Sequence, residues 1–141
     1  MGLDHCATPV NSARIAAIGA AHSQGRSHVL LDVRTYRTLP ARMPAQLELY
    51  SKFGYPVQLR YMGEPVIYAA AESGELNTFH HIWVYESAAD REAKRAQMAK
   101  DPDWKVYLGE NAKAGHIVEQ RNVLMTPVAF APKPAMPKII K

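Results

Sequence analysis

The sequence predicts an α+β fold, a ferredoxin-like βαββαβ sandwich, on three observations. Four segments have the composition or alternation of strands, two regions carry apolar residues at helical spacing, and cap or turn residues stand where the patterns change. The order is strand, helix, strand, strand, helix, strand, which gives a four-stranded sheet with both helices on one face. A chain of 141 residues has room for one such domain.

The first strand is "HVLLDVRTY", with Val29, Leu31 and Val33 on one face and Leu30, Asp32, Arg34 and Tyr36 on the other. In "LPARMPAQLELYSKFG", Met43, Leu47, Tyr50 and Phe53 recur at helical spacing, Pro44 fits the first turn and Gly54 fits the stop. "YPVQLRYMG" reads either as a second short helix or as an extended lead-in. "EPVIYAAAE" and "LNTFHHIWVYE" are strands joined at "SGE" into a hairpin. Ser87 caps the second helix and Asp90 answers it, while Ala89, Ala93 and Ala96 give that helix a slim stripe for packing on the sheet. Asp101 and Pro102 restart it, Trp104 and Leu108 share a face, and Gly115 ends it. "HIVEQRNVLMTPVAF" is the last strand.

Both ends read differently. Residues 1–27 form a flexible extension, 28–131 the folded domain, and 132–141 a solvated basic tail in which prolines space Lys133, Lys138 and Lys141. With 48% apolar and 21% charged residues the chain has a soluble, globular composition, and no apolar run approaches the roughly 20 residues of a membrane span. The apolar patch from Ile15 to Ala21 is short and follows Asp4, which argues against a secretory signal. The single cysteine, Cys6, excludes an internal disulfide. The expected compartment is the cytoplasm, or the mitochondrion if the source is eukaryotic.

The doublet His80–His81 looks like a metal site, but neighbouring strand residues point to opposite faces, so the two cannot hold one ion together. His81 instead shares a face with Asn77, Phe79, Trp83 and Tyr85. Thr78, His80, Ile82 and Val84, with Val29, Leu31 and Val33, are assigned to the side beneath the helices. The other face then gathers Asp32, Arg34, Tyr36, Asn77, Phe79, His81, Trp83 and Tyr85 as candidate ligand-binding residues. Three large aromatics in a row do not suit a bare surface, and a second copy of the chain is the expected cover.

From about Val29 to Phe130 the sequence resembles the NIPSNAP family. The most specific likeness lies in Leu76, Asn77, His81, Trp83 and Tyr85, followed by the helix with Arg91 and Arg95. Arg34, Thr35 and Tyr36 match the family's opening strand, whereas Val66, Ile67 and Tyr68 stand where the family commonly has a glycine. The resemblance implies a dimeric α/β barrel in which two sheets pack face to face. It also implies pocket roles for Arg34, Tyr36, Asn77, His81 and Trp83.

Two functional readings follow. One is a homodimeric NIPSNAP-like module that binds a small hydrophobic or aromatic ligand, or another protein. The alternative is a cofactor-independent enzyme, monooxygenase- or isomerase-like. In that enzyme His81, oriented by Asp32, moves protons on a small aromatic or enolisable substrate while Arg34 steadies the developing anion. Against these stand plainer roles: Arg34 salt-bridged to Asp32 or to a residue across the interface, and Arg91 and Arg95 on a solvated or ion-paired helix edge, with an arginine folded under the sheet edge as the alternative. No metal or other cofactor is expected, because six histidines and one cysteine lie scattered without ligand spacing. Nucleic acid is not an expected partner, since the basic, glycine-rich signature of RNA-recognition strands is missing from "LNTFHHIWVY".

Overall fold

Strand β1 (Leu30–Thr38) leads into α1 (Met43–Leu49) and α2 (Tyr55–Met62), then β2 (Ile67–Ala70), β3 (Thr78–Tyr85), α3 (Ala88–Met98), α4 (Pro102–Ala114) and β4 (Ile117–Met125). The structure is a computed structural model and describes residues 29–139. The expected extension over residues 1–27, with Cys6, lies outside the described residues. The sheet runs β2-β3-β1-β4 with every neighbouring pair antiparallel, which is the ferredoxin-like order. Among the described residues no helix is long and apolar enough to cross a membrane.

The helix signals act where they stand in the sequence. Ser87 Oγ accepts from the Asp90 N–H at 3.1 Å, and the Asp90 carboxylate accepts from the Glu86 N–H at 3.0 Å, a reciprocal cap for α3. Asp101 accepts from the Asp103 N–H at 2.8 Å ahead of Pro102, and Gly115 closes α4 in the left-handed region at φ 60°.

Gly54 is not a stop. The chain passes through a wide π-helical turn, Tyr50–Gly54, straight into α2, and the ambiguous "YPVQLRYMG" is helical. Pro56 lies in the first turn of α2 and has no N–H to give the preceding turn; a π turn is a common way to absorb such a break. Glycine is needed at position 54 for closeness: a Cβ there would sit 2.8 Å from the Tyr50 ring and 3.0 Å from the Tyr107 ring. The helix ends instead at Gly63, with φ 74°.

The expectation about which sheet face meets the helices is corrected. The core beneath the helices consists of Trp83 and Tyr85 from β3 with Val57, Met62 and Met98 from α2 and α3. Phe79, His81, Asp32 and Arg34 are buried on that same side. Leu31, Val33, His80 and Ile82, assigned to the helix side by their sequence pattern, face the opposite way. The expected stripe is reversed too: Ala89, Ala93 and Ala96 are exposed, whereas Arg91, Lys94, Arg95 and Met98 turn inward. A polar strand face pairs here with charged helix residues, so hydrophobicity alone assigns both layers wrongly.

On the open face the register sets Ile67, Ile82, Val33 and Val123 in one row and Val84, Leu31 and Met125 in the next. The tail is not simply solvated. Pro134–Lys138 lie alongside Glu64, Pro65 and Val66, and a Cβ on Gly63 would meet Pro137 Cβ at 2.8 Å and the Lys138 carbonyl at 2.9 Å.

Candidate functional site

A cavity of about 240 Å3 lies between the sheet and the helices of a single chain. Its floor comes from two adjacent rows of the sheet. One row sets Tyr68, His81 and Arg34 side by side across β2, β3 and β1; the next sets Phe79, Tyr36 and Gln120 across β3, β1 and β4. Arg95 reaches in from α3, Tyr50 from the π turn, Gln58 from α2, and Trp104, Tyr107, Leu108 and Asn111 from α4.

The walls are aromatic. Tyr36 and Phe79 stack with ring centroids 5.0 Å apart, Tyr68 and Phe79 at 5.8 Å, and Tyr50 and Tyr68 at 5.0 Å. Burial pushes the phenols of Tyr50, Tyr68 and Tyr107 up, so all three remain neutral at any ordinary pH. The Tyr50 hydroxyl donates to Gln58 Oε1.

His81 is 2% exposed and is held by its neighbour two residues along the strand. Trp83 Nε1 lies 2.7 Å from His81 Nδ1. An indole N–H only donates, so Nδ1 must accept and the neutral ring carries its proton on Nε2. Burial first, and then the Arg34 guanidinium, push the pKa of His81 down to about 3, which keeps the ring neutral. In that tautomer no lone pair of the ring faces the cavity. His81 is therefore built to donate a hydrogen bond rather than to take a proton.

Asp32 does not orient His81. Fully buried, it binds Arg91 Nε at 2.7 Å and also accepts from the Asn122 amide. The Asp32–Arg34 bridge, one of the two plainer roles weighed for Arg34, does not form; Asp32 pairs instead with Arg91, the ion-paired form of the role given to that helix edge. Arg95, assigned to the same edge, enters the cavity wall. Arg34 Cζ lies 5.7 Å from the centroid of the Tyr36 ring, and the Tyr85 hydroxyl donates to Met62 Sδ at 2.8 Å.

Of the eight residues grouped by sequence, Arg34, Tyr36, Phe79 and His81 line the cavity together. Asp32, Trp83 and Tyr85 lie on the same face but outside the cavity wall, where Asp32 secures Arg91, Trp83 secures His81 and Tyr85 donates to Met62 Sδ. Asn77 does not belong to the wall. It sits in the turn before β3 at φ 65°, and its carbonyl accepts from the Thr38 N–H at 2.8 Å. The residues missed by sequence came mostly from the helical layer, Tyr50, Gln58, Arg95, Trp104 and Tyr107 among them, with Tyr68 of β2 and Gln120 of β4 from the sheet. Among the described residues no group of three His, Cys, Asp or Glu side chains is arranged to hold a metal ion.

Comparison with known proteins bears on the fold and the family. The NIPSNAP family model matches residues 31–132. Human NipSnap homolog 3B is 38% identical over 61 residues, which are 43% of this chain and only 24% of that protein, so the match spans about a quarter of the curated relative. A NIPSNAP-like domain protein from Burkholderia xenovorans superposes with a TM-score of 0.72 at 25% identity, covering 82% of this chain and 97% of its own. A NIPSNAP family protein of unknown function from Agrobacterium tumefaciens gives 0.69 at 32% identity, covering 77% and 96%.

Proposed function

The chain belongs to the NIPSNAP family, and from that premise we propose that it is a homodimeric binding domain whose intrachain cavity takes a small molecule with an aromatic or apolar body. The observation that carries the ligand reading is the aromatic box itself. Tyr36, Phe79, Tyr68 and Tyr50 form a chain of stacked rings, each centroid within 5.8 Å of the next, along a space the chain does not fill. Side chains that merely packed a core would close on each other, because an unfilled cavity costs stability. Rings on three walls with a few polar groups between them are the usual make-up of a small-molecule site.

The homodimer reading rests on the other sheet face. Ile67, Val123 and Met125 are 43–49% exposed there, next to the half-buried Leu31, Val33 and Ile82, a continuous apolar surface of the kind that soluble monomers seldom leave open. Pairing two such faces would place the sheets back to back with the cavities outside the interface. The site would then be complete within each subunit.

Native mass spectrometry of purified protein tests both parts. A two-chain species carrying small-molecule adducts is the expected result, and Val123→Asp should convert it to monomers that keep the adduct. Monomers for the wild type at micromolar concentration would remove the dimer. A wild-type protein that neither carries a small molecule nor takes one up from a mixture of aromatic compounds would remove the binding role.

A further inference from the structure

Among the described residues, the orphaned buried polar atoms of the cavity-lining side chains are all donors. Arg34 Nε, Arg95 Nη1 and His81 Nε2 are each buried and have no hydrogen-bond partner among the described residues. The Trp83 bond fixes the proton on His81 Nε2, so all three present N–H groups. Arg34 is 7% exposed and His81 2%, which means that bulk water does not satisfy these groups at low cost.

The charges agree with the hydrogen bonds. Guanidinium groups are permanently cationic, and neither Arg34 nor Arg95 is ion-paired to a carboxylate among the described residues. The nearby acid, Asp32, is spent on Arg91 and Asn122. Two cations at a mostly buried wall, beside a neutral imidazole, make an arrangement that an anion completes.

We infer that the cavity selects a carboxylate on a flat aromatic or unsaturated body, the carboxylate accepting from Arg34, Arg95 and His81 while the body lies against Tyr36, Phe79 and Tyr68. This deepens the binding reading above and rests on it. Planar carboxylates suit the planar fork of an arginine, and the neighbouring rings favour a flat, apolar remainder over inorganic phosphate, which has none. Trp83 is a positioning residue here: it holds His81 and does not touch the ligand.

Titration of the full-length protein with benzoate and cinnamate, their neutral amides, and inorganic phosphate, followed by 1H–15N NMR, tests the inference. Resonances of Arg34, His81 and Arg95 should move with the acids, and the amides should bind at least tenfold more weakly, the scale of one charged hydrogen bond. Arg95→Gln, on a helix and only half-buried, should weaken the acids about tenfold and leave the amides unchanged, at unaltered melting temperature. Equal binding of acids and amides would overturn the carboxylate inference while leaving the cavity reading intact, and binding of phosphate alone would replace it with an inorganic anion. Failure of every probe to perturb cavity resonances would overturn both.

Discussion

Trp83 Nε1 lies 2.7 Å from Nδ1 of His81, two residues earlier on the same face of β3. The bond assigns the imidazole proton to Nε2, which nitrogen NMR reads directly. The expected spectrum has a protonated Nε2 and a bare, accepting Nδ1 throughout pH 6–8. In Trp83→Phe that preference should weaken, and stability should fall by about 2–3 kcal/mol from one buried hydrogen bond plus the smaller ring. A ring protonated on Nδ1 in the wild type would refute the donor role.

The depressed basicity of His81 has a consequence for stability with a fixed sign. Its unfolded pKa is about 6.5 and its folded value about 3. Between the two, the unfolded chain binds a proton that the folded chain refuses. The contribution is therefore complete above pH 6.5 and is lost as pH falls toward 3, by up to about 1.4 kcal/mol per pH unit. Urea unfolding from pH 7 to 4.5 should show a shallower pH slope for His81→Gln than for the wild type. Parallel slopes would mean that the ring is charged in the fold.

Arg91 neutralises a fully buried carboxylate. Arg91→Met leaves Asp32 with only the Asn122 amide and should cost about 3–5 kcal/mol. Asp32→Asn in the same background should recover a large part of that loss, and chemical denaturation of the four proteins of this cycle measures it. An additive cycle would show that the two side chains do not depend on each other.

Two glycines separate closeness from flexibility. Gly54→Ala sets a methyl group against the Tyr50 and Tyr107 rings and should destabilise by about 1–3 kcal/mol. Gly109→Ala, mid-α4 with nothing within 4 Å, should stabilise by about 0.5–1 kcal/mol. Thermal unfolding should move in opposite directions for the two.

Much of this architecture was legible in the sequence, because caps and alternation are local. Ser87 with Asp90, Asp101 with Pro102, and Gly115 mark boundaries without help from the rest of the chain. The grouping of Arg34, Tyr36, Phe79 and His81 was legible too, since pleating separates odd from even positions whatever covers them. What covers them was not. On β1 the apolar side Leu31/Val33 looks like the natural floor for helices, yet the undersides of α3 and α4 bring Arg91, Arg95 and Tyr107 to the polar side. One signal was available. Met98 is the one large apolar residue of α3, and counting back three, four and seven positions from it finds Arg95, Lys94 and Arg91, the residues that turn inward. Small alanines carried less weight than that single methionine. Gln58 stayed hidden because "YPVQLRYMG" reads equally as helix or extended chain, and the residues from α3 and α4 because their facing depends on which side of the sheet they cover.

The π turn at Tyr50–Gly54 sets the phase of everything after it. The turn holds one residue more than a regular helical turn, so rewinding the same sequence as an unbroken α-helix would swing α2 by about 100° around its own axis. Val57 and Met62 would rotate off the sheet, and Gln58 would lose its hold on the Tyr50 hydroxyl. Removing the surplus residue, by contrast, would give regular winding with α2 still in phase.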